Sequence, residues 1–372
     1  MPVSQELQRF GHHLIVGLSG TTLSDDDKRC LSELKPVGVI FFAKNFRFGT
    51  PYEVWLQTFK ELSNQVRQYT ERNHLFMTID HEGGSVTRPP LPITRFPHAF
   101  LLGKLARQVA SSAALELKSL GINVSFAPVA DIFSNPVNPV IGPRAFSTTP
   151  QIAGQGAREY YLGLKEAGIL GCAKHFPGHG DTSTDSHIEL PILNLTAEEL
   201  RSRELIPFKA LIDEQVPLIM TAHILFPKID PDVPATLSQP ILHTLLRQEL
   251  GFEGVVVSDD LDMKAVSDMF TKSGTIARTF HAGCDLFIVS RNISSSSLER
   301  TYAIAQDFAD SLSNGSLDES VVEAAKVRID TLLGRTPQYS VQLLDQDTLR
   351  RHAELAIACS FQAAVLPETL VG

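Results

Sequence analysis

Charged and imidazole side chains crowd into residues 174–187, which read KHFPGHGDTSTDSH. Asp185 and His187 are two positions apart, so in an extended segment their side chains project to the same side. A carboxylate beside an imidazole fixes the tautomer of the ring and stabilises its protonated form, as an acid/base histidine requires. The spacing therefore predicts a proton-transfer pair, with an Asp–His pair on the protein surface as the alternative.

A second carboxylate that is a candidate for a catalytic role is Asp259, which follows the apolar residues 254–257 and Ser258. The apolar run predicts a buried strand, and a carboxylate that leaves such a strand is costly unless it is hydrogen-bonded or used. An anionic nucleophile is one such use. Asp260 competes for this role, because the strand pattern alone does not decide which of the two side chains faces inward.

Other apolar runs also end in charged or imidazole residues: Asp80, His81, Glu82, Asp131, Lys174, His175 and His223. Arg88 and Arg144 lie in loops, and a guanidinium fork suits the recognition of hydroxyl, carbonyl or carboxylate groups. Capping of the next helix is the alternative for any single aspartate, and solubility is the alternative for the arginines. The joint occurrence of these residues at strand ends favours a shared pocket.

The elements that must position these residues are eight short apolar segments, which are separated by longer segments with helical periodicity. The strands are predicted at 14–18, 37–42, 75–80, 122–127, 170–175, 218–222, 255–259 and 285–290. The helices are predicted at 24–34, 51–72, 101–120, 151–166, 197–214, 239–250 and 274–282, several of them ending at glycine (Gly121, Gly168, Gly251, Gly283).

This alternation predicts an α/β fold, and about eight units favour a closed (β/α)₈ TIM-type barrel over a doubly wound sheet. The GLSG segment at 17–20 lacks the glycine pattern of a nucleotide-binding loop. Three more helices are predicted at 298–312, 319–333 and 348–364, and residues 366–372 carry no pattern. We therefore expect a single-domain barrel over 1–338, with 339–372 as a helical extension that packs on it or is partly disordered.

Composition limits the possible partners. The 372 residues carry a net charge of −9 with no basic block, which disfavours nucleic acid and anionic membrane and favours a small molecule. No signal-peptide core and no run long enough for a membrane span are present, so a cytoplasmic protein is expected. We also expect a monomer. The four widely spaced cysteines predict buried, reduced thiols.

Five motifs, in order along most of the chain, resemble those of family 3 glycoside hydrolases, and in particular the single-domain bacterial β-N-acetylglucosaminidases of peptidoglycan recycling. They are IDHEGG at 79–84 with Arg88, APVAD at 127–131, IGPR at 141–144, the 174–187 segment, and SDDLDM at 258–263. The resemblance implies a retaining exo-enzyme without a cofactor. It would remove terminal non-reducing N-acetylglucosamine from peptidoglycan fragments such as GlcNAc-anhydro-MurNAc muropeptides.

The resemblance also assigns roles to individual residues. Asp259 would be the nucleophile that forms a covalent glycosyl-aspartate, His187 the acid/base and Asp185 its partner. The sugar would be bound by Asp80, Arg88, Arg144, Lys174 and His175. A histidine in place of a second carboxylate avoids like-charge repulsion beside the nucleophile. Ser85 and Pro143 depart from the family pattern, whose members often have arginine and an acidic residue there.

The same assignment divides the 174–187 loop into two parts. Lys174 and His175 are expected to be fixed at a strand end, whereas Gly178, Gly180 and Ser186 are expected to let the far part of the loop move.

Several other functions remain open at this point. The same family implies a β-glucosidase or an N-acetylglucosaminide phosphorylase as alternatives. A metal-dependent barrel hydrolase is more remote, with possible ligands His175, His179, His187, His223 and Asp259. A non-catalytic sugar-binding barrel is the last alternative.

Overall fold

The computed structural model describes residues 5–184, 189–293 and 297–364, with side chains described as far as residue 360. Eight parallel strands close into a barrel in the order β1-β10-β9-β6-β5-β4-β3-β2. The barrel strands are β1 (Leu14–Gly17), β2 (Gly38–Phe41), β3 (Phe76–Ile79), β4 (Val124–Ser125), β5 (Leu170–Phe176), β6 (Leu218–Thr221), β9 (Val255–Asp260) and β10 (Leu286–Val289). The predicted (β/α)₈ fold is confirmed, because each predicted strand segment overlaps one barrel strand and no barrel strand extends more than one residue beyond its predicted segment.

Helices surround this barrel. Their bounds are α1 (Gln5–Gly11), α2 (Asp25–Leu34), α3 (Tyr52–Thr70), α4 (Ala106–Ser119), α5 (Pro150–Ala167), α6 (Ala197–Ser202), α7 (Leu205–Asp213), α8 (Lys264–Ser267), α9 (Thr275–Ala282), α10 (Leu298–Ser313), α11 (Glu319–Arg335) and α12 (Gln346–Ala364). The Ser24 hydroxyl accepts the Asp27 N–H at the start of α2, and Asp27 accepts the Ser24 N–H in return. All four predicted helix-ending glycines have positive φ, as expected.

Three predicted helices differ from the structure. The helix expected over 197–214 is two helices, because the ring of Pro207 is incompatible with a helical carbonyl at Arg203, four residues earlier. The helix expected over 101–120 begins at Ala106, after two short 3₁₀ turns. The segment Pro240–Glu249 forms a π-helix, whose wider hydrogen bonding the apolar periodicity does not reveal.

Helices α1 and α8 were not predicted, and neither was a two-stranded antiparallel ribbon of β7 (Leu225–Phe226) and β8 (Asp230–Pro234). The ribbon lies in the long connection after β6. Its residues lack the alternation that would have indicated strands.

The core has two main layers. Inward-facing side chains such as Phe126, Met220 and Ile288 fill the barrel, and Ile329 and Leu333 of α11 join this inner cluster. A larger cluster lies between the strands and the surrounding helices. None of the described helices combines the length and the hydrophobicity that a membrane span requires. The four cysteines are buried with free thiols, as predicted.

The C-terminal segment lies against the barrel. Gln342 donates its backbone N–H to Ser119 at the end of α4, and α12 then packs along α4 itself. The division into a barrel over 1–338 and an extension over 339–372 remains a prediction.

Candidate active site

A cavity of about 180 Å³ opens at the carboxyl ends of the barrel strands. Reactive groups in this fold are expected at that end, where the strand ends and the following loops meet. The cavity is lined by Asp80, Glu82, Val86, Arg88, Val140, Arg144, Lys174, His175, His179, Met220 and Asp259. Six residues predicted from the sequence therefore share one site: Asp80, Arg88, Arg144, Lys174, His175 and Asp259.

Four buried or partly buried charges form one network, which we call the cavity cluster: Asp80, Glu82, Arg144 and Lys174. The Lys174 ammonium donates to Asp80 Oδ1 at 2.8 Å and lies 2.6 Å from Glu82 Oε1. Arg144 donates through Nε and Nη2 to both oxygens of Glu82, at 2.8 and 2.9 Å, and through Nη1 to the Val140 carbonyl at 2.9 Å. Glu82 thus orients both cations.

The pairing keeps these groups charged. Burial by itself would raise the pKa of Asp80, but the positive charges of Lys174 and Arg88 outweigh it and hold that pKa below its usual value. Burial opposes ionisation of Glu82 as well, and Arg144 and Lys174 lower the pKa of that carboxyl strongly. Lys174 has its pKa raised against burial by Asp80 and Glu82.

The cavity cluster keeps hydrogen-bonding capacity for a ligand. Lys174 has three N–H donors, of which two point to Asp80 and Glu82. Arg144 keeps one N–H on each of its terminal nitrogens after the three bonds described above. These donors and the Asp80 carboxylate face the cavity, so they suit the recognition of sugar hydroxyls.

Arg88 reaches the same cavity from the loop after β3. Its Nη2 lies 3.5 Å from Asp80 Oδ2, and its guanidinium carbon lies 5.7 Å from the centre of the Phe42 ring. Among the described residues, its buried Nε–H has no hydrogen-bond partner. Arg88 therefore lines the cavity with weaker side-chain contacts than Arg144.

His175 is oriented by Asp131. The buried Asp131 carboxylate lies 2.7 Å from His175 Nδ1 and also accepts the backbone N–H groups of His175 and His179. Burial would raise the pKa of Asp131, but the nearby His175 and these hydrogen bonds lower it below its usual value. An ionised Asp131 places the proton on Nδ1, which leaves Nε2 of a neutral His175 as an acceptor.

The segment that follows His175 is packed against its neighbours over 176–182. Asn138 donates to the carbonyls of His179 and Gly180, both at 2.9 Å. A Cβ atom on Gly180 would lie 1.6 Å from the Ile132 carbonyl oxygen, and one on Gly178 would lie 2.8 Å from Glu204 Oε2. These two glycines allow close approach of the loop to its neighbours, and their role as points of movement stays a prediction.

Glu204 is buried behind this loop. Its Oε1 lies 2.7 Å from Nε of Arg203, whose Nη2 donates to Asp181 in the loop at 2.9 Å. Neither oxygen of Glu204 accepts a well-formed hydrogen bond from the described residues. Burial raises the pKa of this carboxyl to about 7, and the charge of Arg203 only partly opposes that effect.

Asp259 and Asp260 have different environments. Asp259 lines the cavity beside Lys174 and His175. The Asp260 carboxylate turns to the neighbouring strand end, where it accepts the N–H and the hydroxyl of Ser290 and the N–H of Asp262. Burial and the Asp262 charge raise the pKa of Asp260 to about 7. Asp260 is thus held by hydrogen bonds within the protein, and Asp259 is the one of the two that lines the cavity with Lys174 and His175. Both aspartates line an adjacent cavity with Asp80 and Arg88.

The predicted catalytic pair Asp185 and His187 lies outside the described residues. Of the histidines considered as metal ligands, His223 lies with its Nδ1 against the Thr236 hydroxyl and its Nε2 against the Asp260 carbonyl. Both ring nitrogens of His223 are thus engaged within the protein. In the described part of the chain, no group of three or more His, Cys, Asp or Glu side chains is arranged to hold a metal ion.

Two residues of the site received no role from the sequence, Glu82 and Asp131. Glu82 lies two positions after Asp80, so an extended segment would have placed both carboxylates on one side. The local sequence around Asp131 gives less indication of its role, because its partner His175 lies 44 positions away.

Comparisons with known proteins identify the family of the chain. Residues 13–332 match the model described as the glycosyl hydrolase family 3 N-terminal domain. The β-hexosaminidase A of Pseudoalteromonas piscicida is 35% identical over 367 residues, an alignment that covers 91% of this chain and 61% of that protein. The β-hexosaminidase of Thiobacillus denitrificans is 35% identical over 287 residues, which cover 74% of this chain and 77% of that protein.

Solved structures show the same likeness. The family 3 β-N-acetylglucosaminidase from Paenibacillus sp. FPU-7 superposes with a TM-score of 0.84 at 33% identity, covering 96% of this chain and 68% of that one. A β-N-acetylhexosaminidase from Beutenbergia cavernae superposes with a TM-score of 0.78 at 25% identity, covering 90% and 100%. These matches confirm the predicted resemblance and enzyme class: the chain belongs to glycoside hydrolase family 3.

Proposed function

We propose that this chain is a retaining exo-β-N-acetylglucosaminidase. The observation that carries the proposal is the position of Asp259, which lines the same cavity as Asp80, Arg88, Lys174 and His175. Asp80, Arg88 and Lys174 suit the recognition of sugar hydroxyls, and Asp259 adds to the same cavity a carboxylate that we assign as the nucleophile. The names of the relatives, β-hexosaminidase and β-N-acetylglucosaminidase, support N-acetylglucosamine as the sugar.

In the proposed first step, the Asp259 carboxylate attacks the anomeric carbon as the bond to the leaving oxygen breaks. His187 gives its proton to that oxygen, so the aglycone leaves as an alcohol and a glycosyl-aspartate forms. In the second step, neutral His187 takes a proton from water, whose oxygen attacks the anomeric carbon and releases Asp259. Asp185 stabilises the imidazolium in both halves of the cycle.

The cavity cluster would hold the sugar during both steps. Asp80 accepts hydrogen bonds from hydroxyl groups, while Lys174, Arg88 and Arg144 donate to them. Because their charges are balanced within the cluster, these groups are oriented before the substrate arrives, which reduces the cost of ordering on binding.

As natural substrate we propose peptidoglycan fragments with a terminal N-acetylglucosamine, such as GlcNAc-anhydro-MurNAc muropeptides. The proposal includes a cytoplasmic monomer that works without a cofactor. Product analysis with such a fragment tests it: the expected products are free N-acetylglucosamine, first formed with retained β configuration, and the anhydro-muropeptide. Inverted configuration would contradict the covalent mechanism.

Labelling with a fluorinated N-acetylglucosamine inactivator tests the nucleophile. We expect a covalent adduct on the peptide that contains Asp259 and no adduct in Asp259→Asn. An adduct on Asp260 would refute the assignment. Rates and products measured with and without inorganic phosphate separate hydrolysis from phosphorolysis, since a phosphorylase would release the sugar 1-phosphate.

A further inference from the structure

A helix outside the family match packs against the barrel. The residues that match the family model end at 332, and α12 begins at Gln346. Leu349, Leu355 and Cys359 on its packed face belong to the main core cluster. In the middle of this face lies one polar side chain, His352, which is only 6% exposed. A polar group in an apolar interface is costly unless it is paired, so its partner indicates its role.

The partner of His352 is Glu116 on α4, whose side chain is fully buried. His352 Nδ1 lies 2.8 Å from Glu116 Oε1. The same carboxylate accepts the Thr94 hydroxyl at 2.6 Å through Oε1 and the Thr94 backbone N–H at 2.8 Å through Oε2. One carboxylate therefore joins α12, α4 and the loop after β3.

That loop carries Arg88, six residues before Thr94. The loop is held at a second point by Trp55 of α3, whose indole Nε1–H donates to the Leu91 carbonyl at 3.0 Å. Ile93, between these two points, is fully buried. The backbone beyond Arg88 is thus attached to α3 at one residue and to Glu116 at another.

This attachment matters because Arg88 has few contacts of its own. Its nearest carboxylate oxygen, Asp80 Oδ2, is 3.5 Å away, whereas Arg144 makes two bonds to Glu82 at 2.8 and 2.9 Å. The position of the Arg88 guanidinium is therefore set mainly by the backbone of its loop.

We propose that His352 is a positioning residue for substrate binding. Through Glu116 and Thr94 it holds the loop that presents Arg88 to the sugar, so the C-terminal helix acts on binding without touching the substrate. The inference rests on the proposed role of Arg88 in sugar binding. It assigns α12, beyond the matched domain, a part in the site.

Three variants of the full chain test this inference by steady-state kinetics on a nitrophenyl N-acetylglucosaminide. His352→Leu removes the donor and keeps apolar bulk, His352→Asn keeps an N–H close to the Nδ1 position, and Glu354→Gln changes an exposed residue of the same helix. We expect His352→Leu to raise KM by about 5- to 10-fold with kcat within about twofold. His352→Asn should stay near the wild-type KM, and Glu354→Gln should match the wild type.

A second measurement does not depend on turnover. Trp55 is the only tryptophan of the chain, is fully buried, and is bonded to the Arg88 loop. Acrylamide quenching of its fluorescence should increase in His352→Leu and remain at the wild-type level in His352→Asn. If His352→Leu does not fold, Thr94→Val, which removes only the hydroxyl bond to Glu116, is expected to give the same two changes.

The inference is overturned if His352→Leu keeps the wild-type KM and the wild-type quenching, even if its melting temperature falls. That result would make the helix a purely stabilising element. If the wild-type chain hydrolyses no N-acetylglucosaminide, the proposed function fails, and Trp55 quenching alone then decides whether His352 holds the loop.

Discussion

Two clusters of buried charge lie at opposite ends of the barrel and differ in what they leave available. The basal cluster consists of Asp285, which precedes β10, with Arg247 and Arg328. Asp285 Oδ2 accepts from Arg247 at 2.6 Å and from the Val256 N–H at 2.8 Å, and Oδ1 accepts from Arg328 at 2.7 Å. Both oxygens are thus used by the protein.

The cavity cluster also consists of buried or partly buried charges, but the hydrogen-bonding capacity of its members is not fully used by the described residues. Lys174 and Arg144 keep N–H donors that are not bonded within the described part of the chain. Within that part, the Oδ2 atom of Asp80 has only the 3.5 Å contact with Arg88. Buried charge alone therefore does not distinguish the candidate site in this protein. The distinguishing feature is remaining hydrogen-bonding capacity among residues that line a cavity, together with a further carboxylate, Asp259, that lines the same cavity.

The largest expected effect concerns Asp259. Asp259→Asn should lower kcat by roughly 10³-fold or more, because an amide cannot form the glycosyl-enzyme bond, while the free energy of unfolding changes little. Activity assays on a nitrophenyl N-acetylglucosaminide and urea unfolding measure the two quantities. Asp260→Asn is the matched control and should retain activity within about tenfold, since its carboxylate is held by Ser290. A greater loss in Asp260→Asn would reverse the assignment.

The next effect is on stability and tests the basal cluster. Asp285→Asn leaves Arg247 and Arg328 without their counter-charge and should lower the free energy of unfolding by about 3 kcal/mol. The KM of the folded variant should stay at the wild-type value. Glu82→Gln should destabilise and also raise KM, because Glu82 orients Lys174 and Arg144. If both variants changed KM equally, the contrast between the clusters would not hold.

Glu204 offers a pH test, since it is a buried carboxyl whose contact with Arg203 only partly offsets the effect of burial on its pKa. Its pKa is raised from 4.5 to about 7, so between these pH values the folded protein keeps a proton that the unfolded chain loses. The contribution of this group to folding stability therefore falls as pH rises through that window. Glu204→Gln stays neutral, so its stability relative to wild type should increase by about 2–3 kcal/mol from pH 4.5 to 7. A pH-independent difference in urea unfolding would contradict the raised pKa.

The smallest expected effect concerns the orientation of His175. Asp131→Asn removes the ionised partner of Nδ1 and should lower kcat/KM by about tenfold, mainly through KM, because His175 loses its preferred tautomer. Nitrogen NMR of the His175 ring should show a changed tautomer population. An unchanged population with unchanged KM would mean that Asp131 serves only to hold the backbone N–H groups of residues 175 and 179.

Much of the site could be predicted because parallel strands bring their carboxyl ends to one face. Asp80, Lys174 and Asp259 each follow or end an apolar run, so the barrel alone places them at the same end. The bonds among them were not predictable in the same way. Glu82 binds Arg144, 62 residues away, and nothing in the local pattern of either residue specifies the other.

The sequence by itself determined the eight strands and the end of the barrel that carries chemistry, because continuous apolar runs and strand-end polar residues are local features. Tertiary structure gave Asp259 and Asp260 different surroundings, since Ser290 after the neighbouring strand bonds to Asp260 while Asp259 lines the cavity with Lys174 and His175; Asp259 as the nucleophile stays a prediction. It also decided that Gly180 serves close packing against Ile132. These outcomes depend on contacts between residues far apart in the chain, which periodicity and composition do not encode.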